Sequence, residues 1–212
     1  MTSYVAVIVD IVGSRDLADR RAAQAAIADA FARAHETYAA DMPLWATVGD
    51  EFQARYLTLH DALGATALVR LLLPADLDCR FGLGNGDAHA VDARADGASI
   101  QDGAAWWRAR EAIEIGHRAE SHGQPSLRTW FVGPDPTAQS GVNALLLMRD
   151  HAISRMKARE RRLAAGLLQR RAQRDLAVAE GITQSAVSQS LQRSGATALA
   201  AGLDLFASKE TS

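Results

Sequence analysis

Three acidic residues, Asp10, Asp50 and Glu51, have the side-chain type and the positions expected of metal ligands. Asp10 follows the β-branched run from Tyr4 to Val9, and Asp50 and Glu51 occupy a Gly-Asp turn between two short apolar runs. We expect a βαββαβ sheet to place the first strand beside the strand leading into that turn, so that these side chains converge. Oxygen ligands suit Mg²⁺ or Mn²⁺, which can hold nucleotide phosphates or assist displacement at phosphorus. The pattern predicts a metal site, although Asp10 could instead cap the next loop and Glu51 could be an ordinary exposed turn residue.

Three arginines are candidates for binding the phosphates of a nucleotide: Arg15, Arg108 and Arg110. Pairing with the nearby Asp16 and Glu111 would explain them equally well. The histidines at positions 89, 117 and 122 lack the spacing of metal ligands, so we expect surface or hydrogen-bonded histidines there. Ser14 has no paired His and Asp, which leaves nucleophilic catalysis unsupported.

A second chemistry-bearing stretch spans residues 173–193 and has the pattern of two short helices joined by a tight turn. Gly181 stands where the turn needs a positive φ, which glycine adopts at little cost. Thr183 can cap the second helix, and Val187 and Leu191, four residues apart, can form its buried stripe. The side chains left facing outward on that helix are Gln184, Ser185, Ser188, Gln189, Gln192 and Arg193.

Short hydroxyl and amide side chains on one helix face can hydrogen-bond the edges of bases in a DNA major groove. We therefore predict a helix-turn-helix, with Thr183 to Arg193 as the recognition helix. Flanking cations would contact phosphates, and the candidates are Arg155, Lys157, Arg159, Arg161, Arg162, Arg170, Arg171 and Arg174. A plain helical bundle is the alternative, since helix–glycine–helix segments also occur there.

The charge distribution agrees with a polyanionic partner for the C-terminal part. Residues 1–148 hold 12 Lys/Arg against 19 Asp/Glu, whereas residues 149–193 hold 10 against 4. A basic segment beside an acidic body suggests that the two parts meet different partners. A solvated basic helix explains the charge alone equally well, so the charge counts only together with the helix pair.

The elements that must position these residues follow in the order strand, helix, hairpin, helix, strand. Hydrophobic spacing predicts strands at 4–9, 43–48, 52–57, 78–86 and 127–132, and helices at 16–39, 60–73 and 103–117. This order predicts an α+β protein with a ferredoxin-like (βαββαβ), palm-type domain. After Gly133-Pro-Asp-Pro the pattern is helical, which predicts a palm-like domain at 1–135 and a helical domain at 145–212.

Composition excludes several classes of protein. The single cysteine, Cys79, allows no disulfide framework and no CxxC metal knuckle. No apolar run approaches the ~20 residues of a membrane span, and the N-terminus has no basic region of a signal peptide. We expect a soluble, cytoplasmic protein without a membrane partner.

The motifs Asp-Ile-Val-Gly-Ser-Arg at 10–15, Gly-Asp-Glu-Phe-Gln at 49–53 and Trp-Trp-Arg-Ala-Arg-Glu at 106–111 resemble SatD-family bacterial proteins. More distantly, the N-terminal part is similar to class III nucleotidyl cyclases and GGDEF enzymes, which have a metal aspartate after strand one and another in a Gly-Asp hairpin. This likeness implies roles for Asp10, Asp50 and the segment Arg80–Gly86. The chain departs from cyclases at Ala46, where a base-selecting lysine would stand. It also departs where a catalytic asparagine would stand four residues before an arginine, at Trp106 before Arg110 or at Ala104 before Arg108.

About fifty residues, from Arg-Glu-Arg-Arg-Leu at 159–163 onward, resemble the DNA-binding modules of sigma-factor region 4 and related bacterial regulators. The resemblance implies a module of four helices, with residues 196–206 as a closing helix or a dimer contact. These observations favour a DNA-binding transcriptional regulator, most simply a homodimer, whose degenerate palm-like domain senses a nucleotide or metal or serves dimerisation. Catalytic turnover is not expected. The alternatives are a metal-dependent nucleotidyl or phosphoryl-transfer enzyme using Asp10 and Asp50, and a protein-interaction module.

Overall fold

The computed structural model describes residues 3–47, 50–93 and 99–207; Val48 and Gly49 of the predicted hairpin turn lie outside that range. The predicted α+β class is confirmed. Among these residues, no helix is both long enough and apolar enough to span a lipid bilayer. The strands are β1 (Tyr4–Ile11), β2 (Met42–Ala46), β3 (Glu51–Tyr56), β4 (Cys79–Gly86), β5 (His89–Ala93), β6 (Ser99–Asp102) and β7 (Thr129–Val132). The helices are α1 (Arg20–His35), α2 (Leu59–Leu72), α3 (Ala104–Ser121), α4 (Pro136–Arg155), α5 (Ala158–Leu168), α6 (Gln173–Glu180), α7 (Gln184–Arg193) and α8 (Ala196–Ala207).

Five strands form one sheet in the order β2-β3-β1-β4-β7. Strand β1 runs antiparallel to both β3 and β4, whereas β7 joins β4 in parallel through helix α3. Strands β5 and β6 form a separate hairpin between β4 and α3, a segment for which the sequence analysis predicted no element.

Helices cover both faces of the sheet because alternate residues of β1 point to opposite sides. Val5, Val7 and Val9 lie in the core with helices α1 and α2. Ala6 and Ile8 face the other way and pack against α3. All five side chains are buried, which explains why this segment is continuously apolar in the sequence.

Helix α3 packs close to the sheet because two residues of β4 have no side chain. A Cβ atom at Gly84 would lie 2.1 Å from the carbonyl oxygen of Ala105, and one at Gly82 would lie 2.2 Å from that of Ala109. Both obstacles belong to the backbone of α3, so a side-chain rotation cannot relieve them.

Side chains of α4 bind the backbone of β7, the edge strand of the sheet. The amide of Asn143 both accepts a hydrogen bond from the Phe131 N–H at 2.9 Å and donates to the Phe131 carbonyl at 2.8 Å. One oxygen of Asp150 accepts from the Thr129 N–H at 2.6 Å. Helix α4 therefore satisfies polar groups that an edge strand would otherwise expose.

The predicted domain boundary falls within α4, and the helices that follow it share a core with the sheet. Buried side chains of α5 to α8 belong to the same apolar cluster as β1, α1 and α2. Polar contacts join the two parts as well. The Tyr38 hydroxyl donates to the Leu168 carbonyl at 3.5 Å, and a ring nitrogen of His60 lies 3.0 Å from the Leu203 carbonyl oxygen.

Candidate functional site

Helices α6 and α7 are joined by a turn whose geometry follows from two residues. Gly181 ends α6 with φ of 63°, in the left-handed region where glycine is favoured. The Ile182 N–H then donates to the Ala177 carbonyl at 3.0 Å, closing the end of α6. Thr183 begins the next helix, and its hydroxyl accepts a hydrogen bond from the Ala186 N–H at 3.2 Å.

One side of α7 packs into the protein. Val187 and Leu191 are buried, as are Leu176 and Ala177 on α6. Leu176 in turn packs directly against Gly166 of α5, where a Cβ atom would lie 2.3 Å from the leucine side chain. The helix pair is therefore held against α5 by apolar contacts, with one face of α7 turned inward.

The opposite side of α7 carries the residues predicted to contact bases. Thr183, Gln184, Ser185, Gln189, Gln192 and Arg193 are exposed, and Ser188 is half-buried. Among the described residues, the side-chain amides of the three glutamines have no hydrogen-bond partner in the protein. This face of α7 is polar and accessible to a binding partner, and its positive charge comes from Arg193.

Arg161 differs from what the sequence analysis predicted. It was a candidate phosphate contact, but its half-buried guanidinium donates to the carbonyl of Arg70 and, at 3.1 Å, to that of Leu73. Those carbonyls end α2 and have no partner in their own helix. Burial lowers the pKa of Arg161 from its ordinary value. Its role in the structure is to join α5 to α2.

Four further predicted phosphate contacts lie beside carboxylates, and the first, Arg159, is 3.8 Å from Glu180. Arg162 pairs with Glu180 at 2.7 Å, Arg170 pairs with Asp204 at 2.5 Å, and Arg174 lies 3.4 Å from its neighbour Asp175. The carboxylates of Glu180 and Asp204 raise the pKa of Arg162 and Arg170 respectively. Arg171 is exposed and, within the described ranges, has no ion pair.

A group of cations without carboxylate partners lies beside the C-terminal end of α7. Arg155, Lys157 and Arg193 line a cavity of about 400 Å³ between the α4–α5 junction and the end of α7, together with Gln192. None of these three cations makes an ion pair with any carboxylate of the described residues. We call this group the basic rim.

In the sheet, Asp10 is held by two residues that the sequence analysis did not connect with it. One oxygen of its carboxylate lies 3.2 Å from an Arg80 nitrogen and 3.1 Å from a His117 nitrogen. Arg80 also binds Glu120. His117 is 107 residues from Asp10 in the chain, and no residue spacing in the sequence predicts their contact.

This cluster continues inward as a chain of alternating charges. The pKa of Asp78 is raised by burial, but the guanidinium groups of Arg70 and Arg128 outweigh that effect and hold it below its usual value. Arg149 and Asp150 at the inner end are completely buried. The chain runs through Asp10, Arg80, Glu120, Arg128, Asp78, Arg70, Asp150 and Arg149.

Glu51 is the direct partner of Asp10 across the β1–β3 pair. Both of its oxygens accept hydrogen bonds from Arg110, and Gln53 donates to one of them at 3.1 Å. Burial raises the pKa of Glu51, but these hydrogen bonds outweigh burial and lower its pKa below the usual value. Asp50 lies 3.8 Å from Arg20, a loose surface pair.

The predicted convergence of Asp10, Asp50 and Glu51 depends on which strands are neighbours, and here the sequence analysis was wrong. It placed the first strand beside the strand leading into the hairpin, which is β2. Strand β3 lies between β1 and β2, because β3 has a buried apolar side (Phe52 among its residues) and β2 does not.

Among the described residues, no three His, Cys, Asp or Glu side chains come together as a metal site. This arrangement, with cations on Asp10 and Glu51, does not fit a divalent ion held by all three predicted carboxylates. The three predicted nucleotide-binding arginines also differ in their surroundings. Arg108 donates to the Asn85 carbonyl at 2.5 Å, Arg110 binds Glu51, and Arg15 is exposed.

A comparison with protein families gives one match. The model described as the SatD family matches residues 4–200. The chain belongs to the SatD family. The family match spans the whole five-stranded sheet and the helices from α1 to α7, and it ends inside α8. No curated protein and no solved structure matches the chain.

Proposed function

We propose that this SatD-family protein is a DNA-binding transcriptional regulator that inserts helix α7 into the major groove. One observation carries the proposal: α7 buries Val187 and Leu191 while its other side presents the amides of Gln184, Gln189 and Gln192, which bind no other described residue, beside the hydroxyls of Ser185 and Ser188. A glutamine amide can pair with adenine through two hydrogen bonds, and a serine hydroxyl can reach several bases. Double-stranded DNA supplies the partners that these groups lack.

The basic rim supports the same proposal. Its three cations flank the end of α7, where the phosphates on one side of an occupied groove would lie. A cation without a carboxylate partner binds a phosphate more favourably than a paired cation does, because no existing ion pair has to be broken. Helices α5 to α8 also give the number of helices expected from the likeness to sigma-factor region 4.

For the N-terminal part we propose a palm-type, ferredoxin-like origin. The order β2-β3-β1-β4 with antiparallel neighbours is the one that a βαββαβ chain adopts, and β7 extends that sheet. In the proposed regulator this part senses a small molecule or brings two copies together, since regulators that bind paired half-sites have two-fold symmetry. Phosphoryl transfer is not part of the proposal, because cations occupy both oxygens of Glu51 and one oxygen of Asp10.

Selection of duplexes from a randomised pool by the full-length protein tests the first claim. We expect enrichment of a defined sequence. Gln189→Ala should then relax the preference at one base pair and weaken binding to the selected duplex by about 1–3 kcal/mol. The matched control is Gln124→Ala, an exposed glutamine in the loop between α3 and β7, which should bind as the unaltered protein does. Failure to bind any duplex at low salt would overturn the proposal.

The salt dependence of binding tests the basic rim separately. Replacing Arg155 and Lys157 together by glutamine should reduce the slope of log K against log salt by roughly one for each lost phosphate contact. The selected sequence should not change, because phosphate contacts carry no direct base preference. Arg118→Gln, an exposed cation on α3, is the control and should leave the slope unaltered.

A further inference from the structure

A small cavity lies between α3, the end of β6 and the sheet, away from the helix pair. It measures about 220 Å³, and Ile8, Gln53, Asp102, Trp106 and Trp107 are among its lining residues. Pockets for drug-sized ligands typically have roughly 300–1,000 Å³, so this one suits a single ring system. It is open at one side, where the remainder of a larger ligand could extend into solvent.

Trp106 contributes a hydrogen-bond donor that none of the described residues uses. Its side chain is 6% exposed, and its ring packs edge-on against Trp45 with 5.6 Å between centroids. The indole N–H donates to no acceptor among the described residues. Buried donors are nearly always satisfied, so an indole N–H without an acceptor among the described residues is a candidate donor to a ligand.

Trp107, the next residue, has the opposite environment. It is 70% exposed although it lines the same cavity. A tryptophan ring left in water beside a small cavity offers a flat apolar surface on which another ring can stack.

Two other residues that line the cavity, Gln53 and Asp102, contribute hydrogen-bond acceptors. The Gln53 amide donates through its nitrogen to Glu51 at 3.1 Å, which leaves the amide oxygen without a donor among the described residues. Asp102 accepts the Gly103 N–H at 2.7 Å through one carboxylate oxygen, and its second oxygen has no donor there either. Because Arg110 holds Glu51 through two hydrogen bonds, the Gln53 amide is fixed in this orientation.

We propose that this cavity binds a nucleobase. The base stacks on Trp107, accepts a hydrogen bond from the Trp106 indole N–H, and donates N–H groups to Gln53 and Asp102. A site with one donor and two acceptors matches the edge of guanine, which has one carbonyl acceptor beside two N–H donor groups. The proposal goes beyond DNA binding by α7 and does not depend on it.

Calorimetric titration of the full-length protein with guanosine, adenosine, cytidine, uridine and ribose 5-phosphate tests it. We expect saturable binding of nucleosides, tightest for guanosine, and none for ribose 5-phosphate, which lacks a base. Trp107→Ala should weaken guanosine binding about tenfold or more, the factor expected from loss of stacking on one aromatic ring. Met148→Ala removes an equally exposed apolar side chain from α4 and should leave binding unaltered.

Trp106→Phe separates hydrogen bonding from folding. It keeps an aromatic ring in the core but removes the N–H, so the protein should still unfold cooperatively, with its thermal midpoint lowered only by the smaller ring, while guanosine binding weakens. Binding of no nucleoside at millimolar concentration would overturn the proposal. So would binding in the Trp106→Phe and Trp107→Ala variants equal to that of the unaltered protein. Neither result would affect duplex selection by α7, which is measured separately.

Discussion

Neighbouring arginines on α5 have different roles because their side chains meet different groups. Arg161 donates to backbone carbonyls at the end of α2, whereas Arg162 pairs with Glu180 on the surface. Composition and charge could not separate these two residues, since both stand in the same basic run. The carbonyl oxygens that bind Arg161 belong to residues about 90 positions earlier in the chain.

Replacing each of the two arginines by methionine should separate their roles. We expect Arg161→Met to lower the free energy of unfolding by about 1–3 kcal/mol, because carbonyls of α2 lose their donor. Arg162→Met removes only an exposed, solvent-screened ion pair and should lower the free energy of unfolding clearly less than Arg161→Met does. Urea denaturation measures both values, and equal losses would contradict the assigned role of Arg161.

Asp78 gives the protein a stability that depends on pH. Its pKa is lower in the folded protein than in the unfolded chain, where an aspartate titrates near ~3.9. The carboxylate therefore stabilises the fold above that value, and the contribution is lost as the pH falls through the folded pKa. We expect the thermal midpoint to fall more steeply below about pH 5 in the unaltered protein than in Asp78→Asn.

Thermal unfolding at several pH values between about 3 and 7 measures that difference. Asp78→Asn should be the less stable protein at neutral pH, with the gap closing in acid. Asp29→Asn is the control, since Asp29 is 70% exposed and lies 3.8 Å from Arg33. A gap for Asp78→Asn that stays constant from neutral to acid pH would show that the carboxylate charge is not the cause.

At the scale of the elements, the contact between α3 and β4 depends on glycine. The sequence shows three glycines in β4 but gives no reason for them, because the obstacle is the backbone of a helix about twenty residues further along. We expect Gly84→Ala to destabilise the fold severely or to prevent folding, since a Cβ atom would overlap Ala105 and Ala109.

Gly141→Ala is the matched control for that substitution. Gly141 lies in α4 with open space around it, so alanine should stabilise the helix by about 0.5–1 kcal/mol. Circular dichroism during thermal unfolding compares the two proteins. If Gly84→Ala unfolded at the same temperature as the unaltered protein, the close approach of α3 would be incorrect.

The elements were predictable to the extent that local patterns determine them. The buried stripe of α7, its Thr183 cap and the turn at Gly181 are properties of adjacent residues, so hydrophobic spacing and capping rules located them. The β5–β6 hairpin was missed because its residues show no apolar alternation. The contact of His117 with Asp10 joins distant segments, and only the assembled sheet brings them together.

At the scale of the whole molecule, the sheet and the C-terminal helices share one apolar core. Their stabilities should therefore be coupled. All four tryptophans lie in residues 1–135, so their fluorescence reports on the sheet region. Leu163 on α5 is completely buried in the shared core, which makes it a suitable site to disturb from the helical side.

We expect Leu163→Ala to lower the free energy of unfolding by about 2–5 kcal/mol, the usual cost of such a cavity. The tryptophan signal and the helical circular dichroism signal should shift together, as in a two-state transition. Met148→Ala on α4, which removes an exposed side chain, should shift neither signal appreciably. An unchanged tryptophan transition in Leu163→Ala would mean that the regions 1–135 and 145–212 unfold independently.

The hydrogen bonds from α4 to β7 have a consequence for synthesis on the ribosome. Strand β7 emerges before the helix that protects it, so the nascent sheet passes through a stage in which Phe131 still has free backbone groups. During that interval another unfinished chain could add a strand there, which is how aggregation between sheets begins. Once Asn143 of α4 binds both backbone groups of Phe131, a second chain can no longer pair with them. At the opposite edge of the sheet, Pro43 in β2 has no N–H for another strand to bind. The two edges of the folded sheet are therefore protected from intermolecular strand pairing in different ways.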